Sequence, residues 1–468
     1  MCEGIVSELE GIDLGDRRLN QRSQKIMTAL AADPQASVNA SCSTWTETQA
    51  AYRFFDNELV TPENILRPHR DATARRMRAE PVVLVVQDTT ELDFSDHPPQ
   101  DAKCLNRVER RGFYDHTHLA VTPQGLTLGV VGCEQFDREP DSLGKADERA
   151  SLPIEEKESV RWLNGFRLAN ELAAECPDTQ VVSVADREAD IYDIFVAAQQ
   201  QQQQSPSGPR AEYLIRARVA RCLTERDAEA GGATYLKVRD AVAQSQLLGT
   251  RVVELPRTPQ RAARTAVMEV RAVSVLVKPP HARSHLPPVT MQVVLVKEVG
   301  GPGDGTDVEW LLLTSLPIAT LAHVLLIIDD YVGRWLIEIF FRTLKTGCAV
   351  EELRLETLSR VKNCLAFYKI IAARILYLTY LNRTAPNLPC DAVFEGSEWK
   401  SVWRVVQKKR LPKKPPRLSD FMKLLASLGG YNNRATEAPP GPQAIWVGLR
   451  RMFDYSRAWL AFGPETSS

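Results

Sequence analysis

Tyr331-Val332-Gly333-Arg334-Trp335-Leu336-Ile337-Glu338-Ile339-Phe340-Phe341-Arg342-Thr343-Leu344-Lys345 is the stretch on which the reading of this chain turns. Helix-like throughout, it sets Arg334, Glu338 and Lys345 three, seven and fourteen positions after Tyr331. At about 100° per residue, those offsets confine the four side chains to a stripe roughly 60° wide on one helix face. A tyrosine, two cations and a carboxylate then converge on one target. Trp335, Ile337, Ile339, Phe340 and Phe341 flank the stripe, so it is expected to face a cleft between apolar walls. The carboxylate suits a metal ion and the cations suit phosphate. For Arg334 the alternative is a helix-stabilising i,i+4 pair with Glu338, worth roughly a few tenths of a kcal/mol.

Outward from that stretch, Pro81 to Val86 is a continuous apolar run leading to Asp88, as expected of a strand buried on both faces. Residues 114–121 and 126–136 read as a hairpin about Thr122-Pro123-Gln124-Gly125. A helix at 155–175, a strand Val181–Val184 ending at Asp186, a helix opened by Glu188 and Asp190, and a strand at 212–218 carrying Arg216 follow. Gln199–Gln204 with Ser205-Pro206-Ser207-Gly208-Pro209 reads as a low-complexity surface loop. Residues 221–315 are β-rich, with Ala266–Val277, Thr290–Glu298 and Trp310–Thr314 the clearest strands, and helical text resumes from 319 to 384. Strand, hairpin, helix, strand, helix is the order of an RNase H-like core, so an α/β fold is expected.

Two aspartates at the ends of adjacent buried strands and a glutamate from a packed helix can present hard oxygen ligands to divalent cations. Asp88, Asp186 and Glu338 are the expected metal ligands and catalytic residues. They would hold two Mg²⁺ ions about 3.5 to 4 Å apart, with Mn²⁺ able to substitute. Asp93 and Asp96 compete with Asp88 for this role, whereas Glu188 with Asp190, and Asp329 with Asp330, are expected to charge helix starts. Arg334, Lys345 and Arg216 are the expected phosphate clamps, with Tyr331 donating its hydroxyl. No Ser, Cys and His grouping suggests a nucleophile with its base, and no Gly-rich phosphate loop is present. His116 and His118 share a strand face, with a core or surface role favoured.

These segments carry a family resemblance. Asp330-Tyr331, Arg334-Trp335, Ile337-Glu338 and Lys345-Thr346-Gly347 resemble the Tyr, Arg, Glu, Lys signature of DDE transposases of the insertion sequence four family, transposon-five type. Gln87-Asp88-Thr89-Thr90, Ala185 to Ile191, Leu14-Gly15-Asp16-Arg17-Arg18 and Ala51-Tyr52-Arg53-Phe54 agree, so the resemblance covers nearly the whole chain. It implies a helical transposon-end-binding domain at 1–75, in which Arg17 and Arg18 touch DNA, and an RNase H-like core at 76–220 and 316–385. It also implies that the β-rich insertion at 221–315 interrupts that core, and that a helical dimerisation domain with a basic linker occupies 386–468. The implied activity is cut-and-paste transposition: binding of inverted-repeat ends, metal-dependent cleavage through a hairpin, and strand transfer into target DNA by a homodimer. Trp310 aligns with a family tryptophan that stacks on a flipped base, core packing being the alternative. A metal-dependent nuclease without strand transfer and an inactive, DNA-binding or inhibitory relic are the competing functions.

Composition is that of an ordinary globular protein of two to four domains: 468 residues, 44% hydrophobic and 25% charged. The net charge of −1 argues mildly against DNA binding, but the cations cluster: Arg70, Arg75, Arg76 and Arg78; Arg107, Arg110 and Arg111; Lys408 to Arg417. The last group is expected to touch DNA, or the linker region beside it, rather than bases. Nine cysteines without a CxxC pair read as reduced structural thiols and argue against a zinc site. The start lacks a signal peptide, and no apolar run is expected to reach the roughly 20 residues a membrane span needs. The expected location is the cytoplasm, at a prokaryotic nucleoid, with no membrane partner.

Overall fold

The computed structural model describes residues 2–140, 152–226, 235–255, 262–434 and 437–463, and every candidate site residue lies among them. The chain runs through α1 Arg17–Ala32, α2 Trp45–Phe55, α3 Pro62–Met77, β1 Val82–Asp93, β2 Gly112–Val121, β3 Thr127–Phe136, α4 Val160–Glu175, β4 Gln180–Ala185, α5 Tyr192–Gln204 and β5 Ala211–Arg216. It continues through β6 Cys222–Arg226, β7 Tyr235–Lys237, β8 Leu247–Leu255, β9 Arg264–Val277, β10 Val289–Val299 and β11 Glu309–Thr314. The last elements are α6 Leu321–Gly333, α7 Trp335–Arg342, α8 Leu358–Thr384, α9 Gly396–Gln407, α10 Leu418–Leu428 and α11 Pro442–Phe462. This is a mixed α/β protein with parallel and antiparallel strand pairings and helical N- and C-terminal regions.

Two compact units divide the chain. The first comprises Met1–Arg76, Thr89–Leu143 and Leu336–Ser468; the second comprises Met77–Asp88 and Gly144–Trp335.

In the first unit, α1 and α2 begin where the sequence supplies a cap. Asp16 accepts the Arg18 N–H at 2.7 Å and Thr44 accepts the Glu47 N–H at 3.2 Å. The β2–β3 hairpin turns at Gly125, whose φ of 91° suits a residue without a Cβ. The sequence reading overlooked that helix α8 is long and apolar enough to cross a membrane by length and composition. The fold explains that composition: 83% of its most apolar stretch is buried. His116 and His118 are core residues, both buried, with ring centroids 4.9 Å apart.

In the second unit, the apolar run Val82–Val86 pairs in parallel with Gln180–Val184 of β4, and Val181–Ala185 pairs in parallel with Ala211–Ile215 of β5. Burial on both faces is why Val82–Val86 reads as unbroken apolar text. From β5 the pairing turns antiparallel through β11, β10 and β9, with β6 and β8 both on β9 and β7 on β6.

Four expectations are corrected. Residues 331–345 are not one helix: α6 stops at Gly333, Arg334 is its C-cap, α7 follows, and Thr343–Gly347 is a π-helical turn closed by Cys348 N–H on the Thr343 carbonyl at 2.9 Å. Gly333 ends α6 hard against the sheet, where a Cβ would stand 3.0 Å from Leu84 Cδ1. The four residues thus belong to three helical segments, and a constant 100° step no longer relates Lys345 to Tyr331. Gln199–Gln204 is helical, the end of α5, because glutamine is a good helix former; the loop starts at Ser205. Asp88 is not a strand terminus, since β1 runs on to Asp93. Asp329 and Asp330 close α6 rather than open a helix.

Candidate active site

Strand register builds the site. Val86 of β1 pairs with Val184 of β4, and Val184 with Leu214 of β5, so Asp88, Asp186 and Arg216 each lie two residues further along neighbouring parallel strands. With strands about 4.8 Å apart and side chains alternating faces, that places them in one row on one face. Gln87 confirms the alternation: it points the other way and donates to the Ser183 hydroxyl at 2.9 Å. Asp186 also caps the turn Arg187–Ala189, accepting the Glu188 N–H at 2.9 Å.

The end of α6 completes this row. Arg334 Nη1 donates to Asp88 Oδ2 at 3.0 Å, and both side chains keep some exposure, 13% and 20%. Tyr331 is buried, and its ring meets that of half-buried Trp310 edge-on at 5.4 Å. Burial raises the Tyr331 hydroxyl's pKa, and the Arg334 and Arg216 guanidiniums pull it back. Burial lowers that of Arg216, opposed by its hydrogen bond with Tyr331. Arg216 Nη2 also donates to the Glu309 carbonyl at 3.3 Å. Asp330 is pushed up to about 6 by burial and by the charge of Asp329.

The second unit therefore brings together Asp88, Asp186, Arg216, Trp310, Tyr331 and Arg334. The remaining predicted residues lie in the first unit. Glu338 is half-buried in the first turn of α7. Lys345 donates to the Glu91 carbonyl and pairs with Glu351 at 3.1 Å. Arg17 and Arg18 are exposed on the first turn of α1. Of the competitors for Asp88, Asp93 accepts from Arg110 Nε at 2.9 Å, an ion pair that also spends a cation from the cluster at 107–111. Arg76 likewise pairs with Glu8 at 3.0 Å.

Sequence reasoning missed the wall beside the row. A cleft of about 310 Å³ is lined by Arg187, Arg216, Arg218, Arg221, Lys237 and Arg239, with Asp240 and Glu309 among its acids. Arg216-x-Arg218 at a strand end was a usable signal. Asp190 was misread too: α5 begins after Ile191 without a side-chain cap, and the Asp190 carboxylate instead binds the loop after β5.

As a metal site the row fits by donor chemistry. Mg²⁺ keeps several waters and is commonly held by one or two carboxylates plus substrate phosphate, and Asp88 and Asp186 are two such donors side by side. Among the described residues no group of three or more His, Cys, Asp and Glu is arranged to hold a metal ion. Guanidinium forks and a buried phenol beside carboxylates suit a phosphodiester.

The two ends of the chain establish its class. Residues 1–60, which include α1, α2, Arg17 and Arg18, match the family model for transposase DNA-binding. Residues 370–458, from within α8 into α11, match the Tn5 transposase dimerisation domain. The two matches together support a Tn5-type transposase of the insertion sequence four family. Both DNA binding and dimer formation follow from the matched domains.

Proposed function

We propose that the protein is a DDE-type cut-and-paste transposase whose RNase H-like core, at 76–220 and 316–385, cleaves transposon ends through a hairpin and joins them to target DNA. The observation that carries this reading is the register that sets Asp88 beside Asp186, with Arg334 bonded to Asp88. Glu338, four residues after Arg334 in sequence, is the third carboxylate, proposed from the family signature. Divalent ions held by these acids, Mg²⁺ or Mn²⁺, would supply polarisation of the scissile phosphate and activation of the attacking oxygen.

The chain's own groups supply orientation. Arg334, bonded to Asp88, also reaches a phosphate oxygen, holding carboxylate and phosphate in fixed relation. Arg216 and Tyr331 grip the adjoining backbone, Lys345 adds a further cation, and Trp310 offers a ring to an unstacked base. Arg17 and Arg18 contact end DNA, and a homodimer holds two inverted-repeat ends at the nucleoid.

Single-turnover cleavage of a duplex bearing the terminal inverted repeat tests this. Asp88→Ala, Asp186→Ala and Glu338→Ala should each abolish Mg²⁺-dependent cleavage while end binding persists. Normal cleavage by any one of them removes that residue from the catalytic set, and by Asp186→Ala removes the reading itself.

A further inference from the structure

Asp190 stands four residues after Asp186, and nothing above gives it a part in the chemistry. Its side chain is fully covered. Oδ2 accepts the backbone N–H of Arg218 at 2.8 Å and that of Val219 at 2.7 Å. Oδ1 accepts from Arg221 Nε at 2.8 Å and from Nη2, which also donates to the Asp190 carbonyl at 2.9 Å. The Arg221 guanidinium lies over the Phe195 and Tyr192 rings, 5.0 and 5.6 Å from their centroids. One buried carboxylate thus gathers four donor contacts from the loop that leaves β5, and low local dielectric makes such charge-assisted bonds stiff.

That loop is a wall of the basic cleft. Asp190 cancels the charge of Arg221, and Glu309 pairs with Arg239 at 2.7 Å. The positive charge presented to a ligand therefore comes chiefly from Arg187, Arg216, Arg218 and Lys237, all lining the cleft. Arg216 belongs both to this wall and to the row with Asp88 and Asp186. A strand passing the two carboxylates would meet the wall next.

We propose that Asp190 is a positioning residue: it sets the loop Ala217–Arg221 so that Arg216 and Arg218 together hold a backbone phosphate of the bound DNA strand. The proposal rests on the reading of Asp88 and Asp186 as the DNA-processing pair. A buried ion pair serving stability alone would leave DNA contacts unchanged once the protein is folded, and this separates the two roles.

The test is equilibrium binding of the full-length protein to an inverted-repeat duplex over a range of salt, with thermal melting in parallel. Arg218→Gln should weaken binding about five- to tenfold and reduce the salt slope by about 0.9, the loss of one phosphate contact. Asp190→Glu keeps the charge opposite Arg221 but displaces the loop by a methylene. It should melt near wild type and show the same loss. Combined with Arg218→Gln it should add nothing, because both changes remove one contact. Asp190→Asn with Arg221→Gln, which removes both buried charges, should give the same loss should the glutamate variant unfold. Wild-type affinity and slope in a folded Asp190 variant, or losses that multiply in the combination, overturn the proposal. A wild-type protein without salt-dependent binding brings down the site reading and the proposal together.

Discussion

Charge is buried in two different ways, as one set of pairs from each unit shows. In the first, Lys369 and Asp115 pair at 2.7 Å with neither side chain exposed, and Thr117 donates to the second Asp115 oxygen at 2.8 Å. Glu8 accepts from Arg76 at 3.0 and 3.1 Å and bonds His69 at 2.6 Å, a closed set that ties the N-terminal segment to α3. In the second, Asp88 and Arg334 pair at 3.0 Å with part of each side chain still in contact with solvent, beside Asp186, Arg216 and Tyr331. A sealed pair has no open side to offer a ligand. A half-open one can exchange a partner for a phosphate or an ion, and that difference, not the presence of charge, marks the candidate site.

Breaking a sealed pair gives the largest effect. Lys369→Met strands the Asp115 carboxylate and should cost about 3 to 5 kcal/mol in denaturant unfolding, with much of it recovered in Lys369→Met/Asp115→Asn. A single variant as stable as wild type would refute the claim that this pair is structural. Arg334→Lys probes the half-open pair. Because a point charge still serves Asp88, stability should change by less than about 1 kcal/mol, whereas single-turnover end cleavage should fall by roughly 10² to 10³ for want of the planar fork. Full-rate cleavage would return Arg334 to a supporting role.

The acid range sharpens the contrast at smaller cost. Burial lowers the pKa of His118 to about 4, so the unfolded chain takes up a proton there that the folded chain refuses. Stability is present above pH 6.5 and is lost as pH falls toward 4. Burial acts to raise Glu8, but His69 and Arg76 outweigh it and bring its pKa down from 4.5 to about 2. Its contribution, on the order of 3 kcal/mol, is present above pH 4.5 and disappears as pH falls through about 2. Glu8→Gln should flatten the stability curve below pH 4.5 and leave the His118 slope above it. A variant curve parallel to wild type below pH 4.5 would contradict this assignment.

Much of the candidate site was legible in the sequence because strands announce themselves. Val82–Val86 is an apolar run and Val181–Val184 is one broken only by Ser183, as two-sided burial favours, and each leads to an aspartate two residues beyond its last paired valine. The helix-face argument for Tyr331 to Lys345 fared worse, since propensity does not reveal that Gly333 closes α6 or that Thr343–Gly347 widens to a π turn. Asp190 was opaque for a different reason. Its donors lie 28 to 31 residues downstream, and only the packed sheet puts them within reach. Neither Lys369 nor Asp115 could be paired from sequence, 254 residues apart, although a lysine in the middle of the apolar α8 was a sign that some acid had to meet it.

Iron-directed cleavage tests the central claim, that Asp88 and Asp186 form one hard-oxygen site. Fe²⁺ in place of Mg²⁺, with ascorbate and peroxide, generates hydroxyl radicals that cut the backbone beside the ion, whatever the protein's activity on DNA. The account predicts fragments ending near Asp88 on β1 and near Asp186 after β4, both suppressed by excess Mg²⁺ and both lost in either single Asn variant. Cuts at one strand only, or cuts that survive Asp186→Asn, would contradict it.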